Sequence, residues 1–534
     1  MKNPFRKMMF LLAFVAAIFS MLSLLEHQES TLIQPTEEQV QNFFKKPIHK
    51  ESEEVFSPFS SSYKENRIKA ADSIIQEDDI IYYIQENTIL RLDEKTLQFQ
   101  EKTFPSFYPV EMQMWQNQLI VFGVTSSLNY IQIDENKAFP YENYEFQILI
   151  LEKKNLTRIR KIQFFNSYYI QSQQVNGNLY LFLGMTEIIN QETKTLIYPK
   201  WKDSYQTLAS KLSHDKIFML EDGQPVRSML LLCELNLNFL FRPIEMMGLL
   251  GVDGMIKISS SYLVVSSSSY QKAMQTHFLF FSLHNFNYLG KVTLKGYVMN
   301  EESMDLNEEY FRVLLSYYEE EGIYHHVYNV SVSNYKVLSM REVAPLENIY
   351  CLRYQKDRLY ISAFQYIDPL YVFDFSDPLK IQCILKKETP WVQEYLEVHD
   401  DFILTIGRKI NEEAIPQETV ISVLHPTTLD VLQFHQLDHR VNLQIIWDER
   451  ALAKNEEMWL FLGYMEQKAI VLKVKIQPSI ESQILLSLQE NWIHRIIFGQ
   501  EYLYVFGIEG LYLYHLNAFS LAKTFTYQRK EINA

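Results

Sequence analysis

From about residue 68 onward the chain repeats one short pattern of apolar and polar positions. The stretch from Ile349 to Leu385 holds one whole unit. Tyr350–Tyr354 reads as an apolar, aromatic strand, Gln355-Lys356-Asp357 as a polar turn and Arg358–Phe364 as a second strand. Leu370–Phe375 follows as a third strand, and Pro369 suits its first position, where no ladder hydrogen bond is donated. Ser376-Asp377-Pro378 is a turn by composition, and Ile381–Leu385 is a short fourth strand. Four short antiparallel strands in about forty residues make one propeller blade.

The second strand of the unit is the easiest to follow. It recurs at Ile80–Ile84, Gln118–Phe122, Leu179–Leu183, Tyr262–Ser266, Tyr310–Leu315, Arg358–Phe364, Phe402–Ile406, Met458–Leu462 and Tyr502–Phe506. Propellers hold about four to eight blades. The expectation is an all-β propeller over residues 67–528 with about eight four-stranded blades, seven or nine being allowed. One unit would be incomplete, or the first and last would share a closing blade, since closure removes exposed strand edges. Residues 529–534 form a short tail. Insertions interrupt the rhythm at Thr186–Ser228, Ser267–Thr276, Lys409–Glu418 and Asp448–Glu457. Ser204–His214, inside the longest of these, suits a short helix.

Several segments together resemble a bacterial family of secreted β-propeller domain proteins. Tyr360, Asp368-Pro369-Leu370-Tyr371-Val372, Asp374 and Ser376-Asp377-Pro378 carry the clearest likeness. Ala71-Asp72 with Ile80-Ile81-Tyr82 looks like the opening blade. Gly296-Tyr297, Asn300, Ser303-Met304-Asp305 and Phe311-Arg312-Val313 look like a middle blade. Arg495-Ile496 with Tyr502-Leu503-Tyr504 and Gly510-Leu511 looks like the last. Gln365 departs from the family's usual Arg, and the lead-in around Asn66–Ala71 lacks its Gly- and acid-rich character. The resemblance implies the propeller fold and a cell-surface location, with structural roles for the signature residues. It implies no particular activity.

Ahead of the repeats, Met8–Leu25 is an apolar run of 18 residues without a charge. As a helix it spans about 27 Å, close to a bilayer core. Lys2, Arg6 and Lys7 precede it and orient the N-terminus inward. The reading is an uncleaved signal anchor, residues 1–25, in the cytoplasmic membrane with the propeller on the extracytoplasmic side; a cleaved signal peptide and secretion is the alternative. Residues 26–66 are polar and read as a tether. Within it Thr36–Lys46 suits a short amphipathic helix, with Thr36 as cap and Gln39 three positions on.

Composition sharpens this picture in three places. Glycine numbers only 15, so turns must lean on residues such as Asn and Asp. The net charge of −15 repels a phosphate backbone and excludes nucleic acid as a partner. Cys233, Cys351 and Cys383 lie in apolar strands and read as buried thiols, a Cys351–Cys383 bridge being the minor alternative.

The chemistry-bearing signals are sparse. No Gly-x-Ser-x-Gly, no phosphate loop, no Gly-x-Gly-x-x-Gly and no His-Glu-x-x-His occurs. His325 and His326 would point to opposite faces of a strand, and His435 and His439 would stand too far apart on one to chelate an ion. His399-Asp400-Asp401 precedes a strand and suits cation binding or acid–base work, although a plain turn accounts for it. Trp201 and Trp391, with Trp447 and Trp492, fall in loops or at strand starts, where an exposed ring could stack on a sugar. Trp201, Trp391, His399, Asp400 and Asp401 are therefore the candidate ligand-surface residues, and no catalytic, cofactor or metal set is assigned. The expected function is a non-catalytic binding or scaffold module of the cell envelope, with a protein or glycan ligand. A propeller glycoside hydrolase or lyase is the alternative, and a structural divalent cation in the channel is a third option.

Overall fold

A computed structural model describes residues 32–36, 39–40 and 68–527, apart from 135–136, 186–187, 191–194, 221–227, 253, 270–273, 365–367, 411–415, 456–457, 477–479 and 489–491. The apolar run 8–25, most of the tether and Gln365 lie outside the described residues. Among the described residues no helix is long and apolar enough to cross a membrane.

The strands form nine sheets, each built on a meander of four consecutive antiparallel strands from inner to outer. The blades span 74–103, 107–164, 168–250, 256–295, 297–343, 348–389, 392–436, 441–487 and 493–526. They are numbered 1 to 9 in that order, and their strands a to d. The number is nine rather than the expected eight. All nine second strands read from the sequence have a sheet of their own, and among the described residues the first and last blades are each four-stranded without a strand from the other.

Each junction between neighbouring blades has its own apolar core. Ile120, Phe122, Leu179 and Leu181 pack blade 2 on blade 3, and Phe278, Phe280, Phe311 and Val313 pack blade 4 on blade 5. The ring closes in the same way: Ile81, Tyr83 and Leu92 of blade 1 pack against Tyr504, Phe506 and Leu513 of blade 9. Burial of both sheet faces explains the apolar runs on strands b and c, because these inner strands have a neighbour blade on each side. The scarcity of glycine is met by other residues at positive φ in the a–b turns, among them Asp78 at 53°, Asn176 at 50° and Lys356 at 52°.

Connections alternate between the two ends of a meander, so a–b and c–d turns share one face of the ring while b–c and d–a connections share the other. The long additions concentrate on the b–c side. Strands b and c of blade 2, Gln118–Asp134 and Lys137–Glu152, run as a two-stranded ribbon well past the blade. The insertion of blade 3 folds back as strands on the outer rim. Lys200–Asp203 pairs with outer strand Arg158–Phe164 of blade 2, and Ser210–Lys211 pairs with it in turn. Ile217–Leu220 lies parallel to outer strand Glu245–Leu250 of blade 3. The expected helix at Ser204–His214 is thus replaced by a loop, a short strand and a 3-10 turn beginning at His214.

The N-terminal segment is part of the ring. Leu32–Ile33 pairs with Met219 and Leu220 on the rim of blade 3. Thr36 and Gln39 form the expected reciprocal cap, Gln39 N to Thr36 Oγ1 at 3.2 Å and Thr36 N to Gln39 Oε1 at 2.8 Å. The chain re-enters on the opposite side of the blade. Ile68–Ala70 pairs with inner strand Tyr168–Val175 of blade 3, and Asp72 bridges to Met112 of blade 2 before blade 1 begins.

Candidate functional site

The inner strands line the channel, and five of them carry a bulge at an equivalent place. Val110, Ile170, Tyr350, Glu394 and His494 are each skipped in the pairing of strands a and b. A bulge re-aims a side chain and loosens local pairing. Two of these residues, Tyr350 and Glu394, line the pocket described below.

Blade 8 breaks the inner ring. Its strand a is split into Val441–Leu443 and Leu452–Lys454 by two 3-10 turns. Three consecutive residues between them reach three other parts of the ring. Asp448 Oδ2 lies 3.3 Å from Arg495 Nη1 of blade 9. Glu449 forms an ion pair with Arg353 of blade 6. Arg450 Nη1 lies 3.6 Å from Asp72 Oδ1 and 3.9 Å from Glu111 Oε1 of blade 2. The channel is therefore crossed by a knot of mutually neutralised charges.

Beside this knot lies a small, partly open pocket. Asn300 and Glu302 of blade 5, Tyr350 and Arg353 of blade 6, Glu394 and Tyr395 of blade 7, and Trp447 and Glu449 of blade 8 line it. Tyr350 and Glu394 stand near the starts of their inner strands, which puts them toward the b–c side. Burial alone would lower the Arg353 pKa, but Glu449 and Glu302 outweigh it and hold the guanidinium above its ordinary value. Burial also pushes the Glu394 carboxyl up, and Arg408, 2.9 Å away, only partly offsets this. Glu397 goes the other way. Its burial is outweighed by His399, Lys454 and Tyr395, so its carboxyl is held down at about 2. Cys351 is a half-buried thiol raised chiefly by desolvation, unsuited to nucleophilic work.

Of the residues read from the sequence, Trp447 lines this pocket and the five ligand-surface candidates fall elsewhere. Trp391 is 2% exposed and packs against Phe434, so it offers no stacking surface. Trp201 is half-buried in the added strand on blade 2 and packs on the core between blades 2 and 3. His399, Asp400 and Asp401 form the a–b turn of blade 7, on the far face from the insertions. The His399 ring stacks on Phe402 at 4.4 Å with Nε2 3.2 Å from Glu397 Oε1, and Asp400 pairs with Lys356 of the next turn at 2.8 Å. Among the described residues no group of three or more His, Cys, Asp or Glu could hold a metal ion. His325 is buried between Ser316 and the Glu347 carbonyl, and His435 Nε2 sits 2.6 Å from Ser482 Oγ across a blade junction. The cysteines are free, so no Cys351–Cys383 bridge exists; Cys351 Sγ instead donates to the Gln393 carbonyl at 3.2 Å.

Sequence reasoning missed Arg353, Glu302, Glu394 and Glu449. The one available signal was the irregular segment Asp448–Glu457, which contains Glu449. Arg353 and Glu394 sit on ordinary-looking strand positions, and Glu302 lies in the 3-10 turn Glu301–Ser303.

The signature residues hold the last turn of blade 6 and its contacts with blades 5 and 7. Tyr360 is buried where blade 6 meets blade 7. Asp374 accepts from Ser376 Oγ at 2.7 Å, and Asp377 accepts from Leu379 N at 3.0 Å. The Pro378 carbonyl accepts from Asn329 Nδ2 at 3.0 Å and Ser339 Oγ at 2.8 Å, both in blade 5. Asp368 opens strand c of blade 6, opposite Thr389, and Pro369 follows it. Residues 63–519 match the beta propeller domain family. The chain belongs to that family. No curated protein matches the propeller. Solved structures align with it at low TM-scores. A dihydro-heme d1 dehydrogenase aligns with 56% of this chain and 61% of its own length, at 8% identity and a TM-score of 0.36. The propeller domain of the trilobed protease from Pyrococcus furiosus aligns with 72% of this chain and 99% of its own, at 10% and 0.32. A Kuenenia stuttgartiensis hydrazine synthase aligns with 49% and 76%, at 11% and 0.32.

Proposed function

We propose that this propeller is a membrane-anchored, extracytoplasmic binding module of the bacterial cell envelope. Its ligand, an envelope glycan or protein, lies over the b–c face and the adjoining channel pocket. The observation that carries the reading is the use made of the central charges. Asp448, Glu449 and Arg450 are spent on joining blades 2, 6, 8 and 9, which leaves a rigid and largely self-neutralised platform. The additions to the repeat on blades 2 and 3 are what a partner would meet, as loops on rigid scaffolds carry recognition. The uncharged run Met8–Leu25 supports the anchored location.

The test is thermal melting of the full chain against cell-wall glycans, teichoic-type polymers, envelope peptides and divalent cations. A ligand at about 100 times its dissociation constant adds about 2.7 kcal/mol. A shift with one class identifies the partner; no shift across the panel contradicts a small glycan or ionic ligand.

One observation favours a second reading, a carbohydrate-active enzyme. Glu394, with its carboxyl raised by burial, shares a pocket with Glu302 and Glu449. Turnover of an envelope glycan that disappears in Glu394→Gln would establish it, and turnover unaffected by that change would reject this assignment.

A further inference from the structure

The outer rim at blades 2 and 3 differs from the rest of the molecule. Buried Arg160 and Asp203 form an ion pair beneath the surface there. Arg160 also donates to the Leu240 carbonyl and, at 3.3 Å, to that of Arg242, while Asp203 Oδ1 accepts from Tyr205 N at 3.1 Å. The pair thereby fastens two surface loops side by side, residues 204–209 and 238–242. Tyr205 and Phe241 meet across the junction with ring centroids 5.0 Å apart.

What these loops present is apolar and unusually open. Leu208 is 81% exposed, Phe241 83% and Phe239 58%, with Tyr205 and Ile159 exposed beside them. Cations surround them. Arg242 lies over the Phe239 ring at 5.0 Å, and Arg158 and Lys202 are exposed. Lys161 is half-buried, and desolvation, with Arg158 and Lys202 adding to it, outweighs the opposing Glu145 and lowers its pKa. A basic cluster of this kind stands out in a chain of net charge −15.

We propose that this rim lies against an anionic lipid bilayer, with Leu208, Phe239 and Phe241 entering the interface and the surrounding cations meeting the headgroups. The inference rests on the membrane location argued above. The apolar side chains are separate tips on convex loops, a shape suited to an interface that can close around each tip; a peptide or helix needs a groove. Lysine and arginine beside such tips are drawn to an anionic surface. The path of the chain agrees. Strand Leu32–Ile33 is fixed on the outer edge of blade 3 by pairing to Met219 and Leu220, beside the Leu250 end of the outer strand whose other end carries loop 238–242, with Pro35 O 2.7 Å from His214 Nε2 and Val40 buried in the core. Residues 26–31 alone then separate the rim from the apolar run, a span of on the order of 20 Å when extended.

The experiment uses the full chain with Cys351 and Cys383 replaced by serine, adding Leu208→Cys, Phe241→Cys or, as a control on blade 6, exposed Leu379→Cys. Each carries a polarity-sensitive fluorophore and is mixed with vesicles of neutral phosphatidylcholine, or of phosphatidylcholine with phosphatidylglycerol, containing a lipid-borne quencher. Flotation on neutral vesicles reports the N-terminal run; emission at 208 and 241 reports the rim. The expected result is a blue shift and loss of most emission at 208 and 241 on anionic vesicles, reversed by salt, with the 379 label unchanged. Flotation on anionic vesicles alone, with 208 quenched, upholds the rim contact and rejects the anchor. Flotation with 208 behaving like 379 overturns the rim contact and leaves the anchor standing. No flotation on either lipid overturns both.

Discussion

Arg495 Nη2 lies 2.9 Å from Asp72 Oδ1, and 423 positions separate the two residues. Asp72 belongs to the lead-in crossing blades 3 and 2, and Arg495 to the inner strand of the last blade. Their contact is a polar counterpart to the apolar closure of blade 9 on blade 1. Arg495 is nearly buried and also serves Asp448 at 3.3 Å, so its removal leaves these two carboxylates with only the half-exposed Arg450 as a shared cation. Arg495→Ala should cost about 2–4 kcal/mol and Asp72→Asn less, about 1–2 kcal/mol, since Arg495 keeps Asp448. Thermal melting of the full chain ranks them; equal losses would contradict the shared-cation arrangement.

The channel knot predicts a non-additive pair. Arg353 sits largely buried against Glu449, so Glu449→Leu strands a guanidinium that only Glu302 partly compensates. A loss of about 2–4 kcal/mol is expected. Arg353→Met combined with Glu449→Leu should recover most of it, because no uncompensated charge remains. A double variant as unstable as the sum of the singles would show that the two residues act separately.

Gly296, read from the sequence as a family feature, has a backbone reason. Its φ is +110°, and a β-carbon there would stand 2.7 Å from the Ser316 carbonyl oxygen. The turn joins blade 4 to blade 5 and is held by Gly296 N to Met274 O at 2.9 Å and Thr276 Oγ1 to Gly296 O at 2.7 Å. Gly296→Ala should cost about 2–4 kcal/mol. Melting unchanged by the substitution would contradict the strain.

The blades were readable because strands b and c are covered on both faces, so Ile80–Ile84 or Tyr502–Phe506 must be apolar wherever they occur. Their number was less so. The preference for at most about eight blades argued against counting all nine runs, yet the nine inter-blade cores are equivalent in kind. The channel was opaque for a different reason. A bulge at Tyr350 or Glu394 leaves no mark in a period of two, and which inner strands face each other is a property of the closed ring. Asp448, Glu449 and Arg450 look like an exposed charged turn until Arg495, Arg353 and, hundreds of positions away, Asp72 and Glu111 are in place. Trp391 misled in the opposite direction: a tryptophan beside a proline looks like loop, and it is buried.

Two neighbouring glutamates on the inner strand of blade 7 should respond to pH with opposite sign. Glu397 is held at about 2, below the ordinary carboxyl range, by His399, Lys454 and Tyr395 despite its burial. Its contribution to stability, about 3 kcal/mol, is present above about pH 4.5 and is lost as pH falls toward 2. Glu397→Gln should therefore lower the melting temperature at pH 7 and converge on the parent as pH drops through that window. Glu394 is raised by burial, so its charged form opposes folding above the unfolded carboxyl range. Glu394→Gln should leave melting at pH 7 unchanged or slightly higher, and that advantage should vanish on acidification. Parallel pH–melting curves for the two variants would contradict the opposed environments of these side chains.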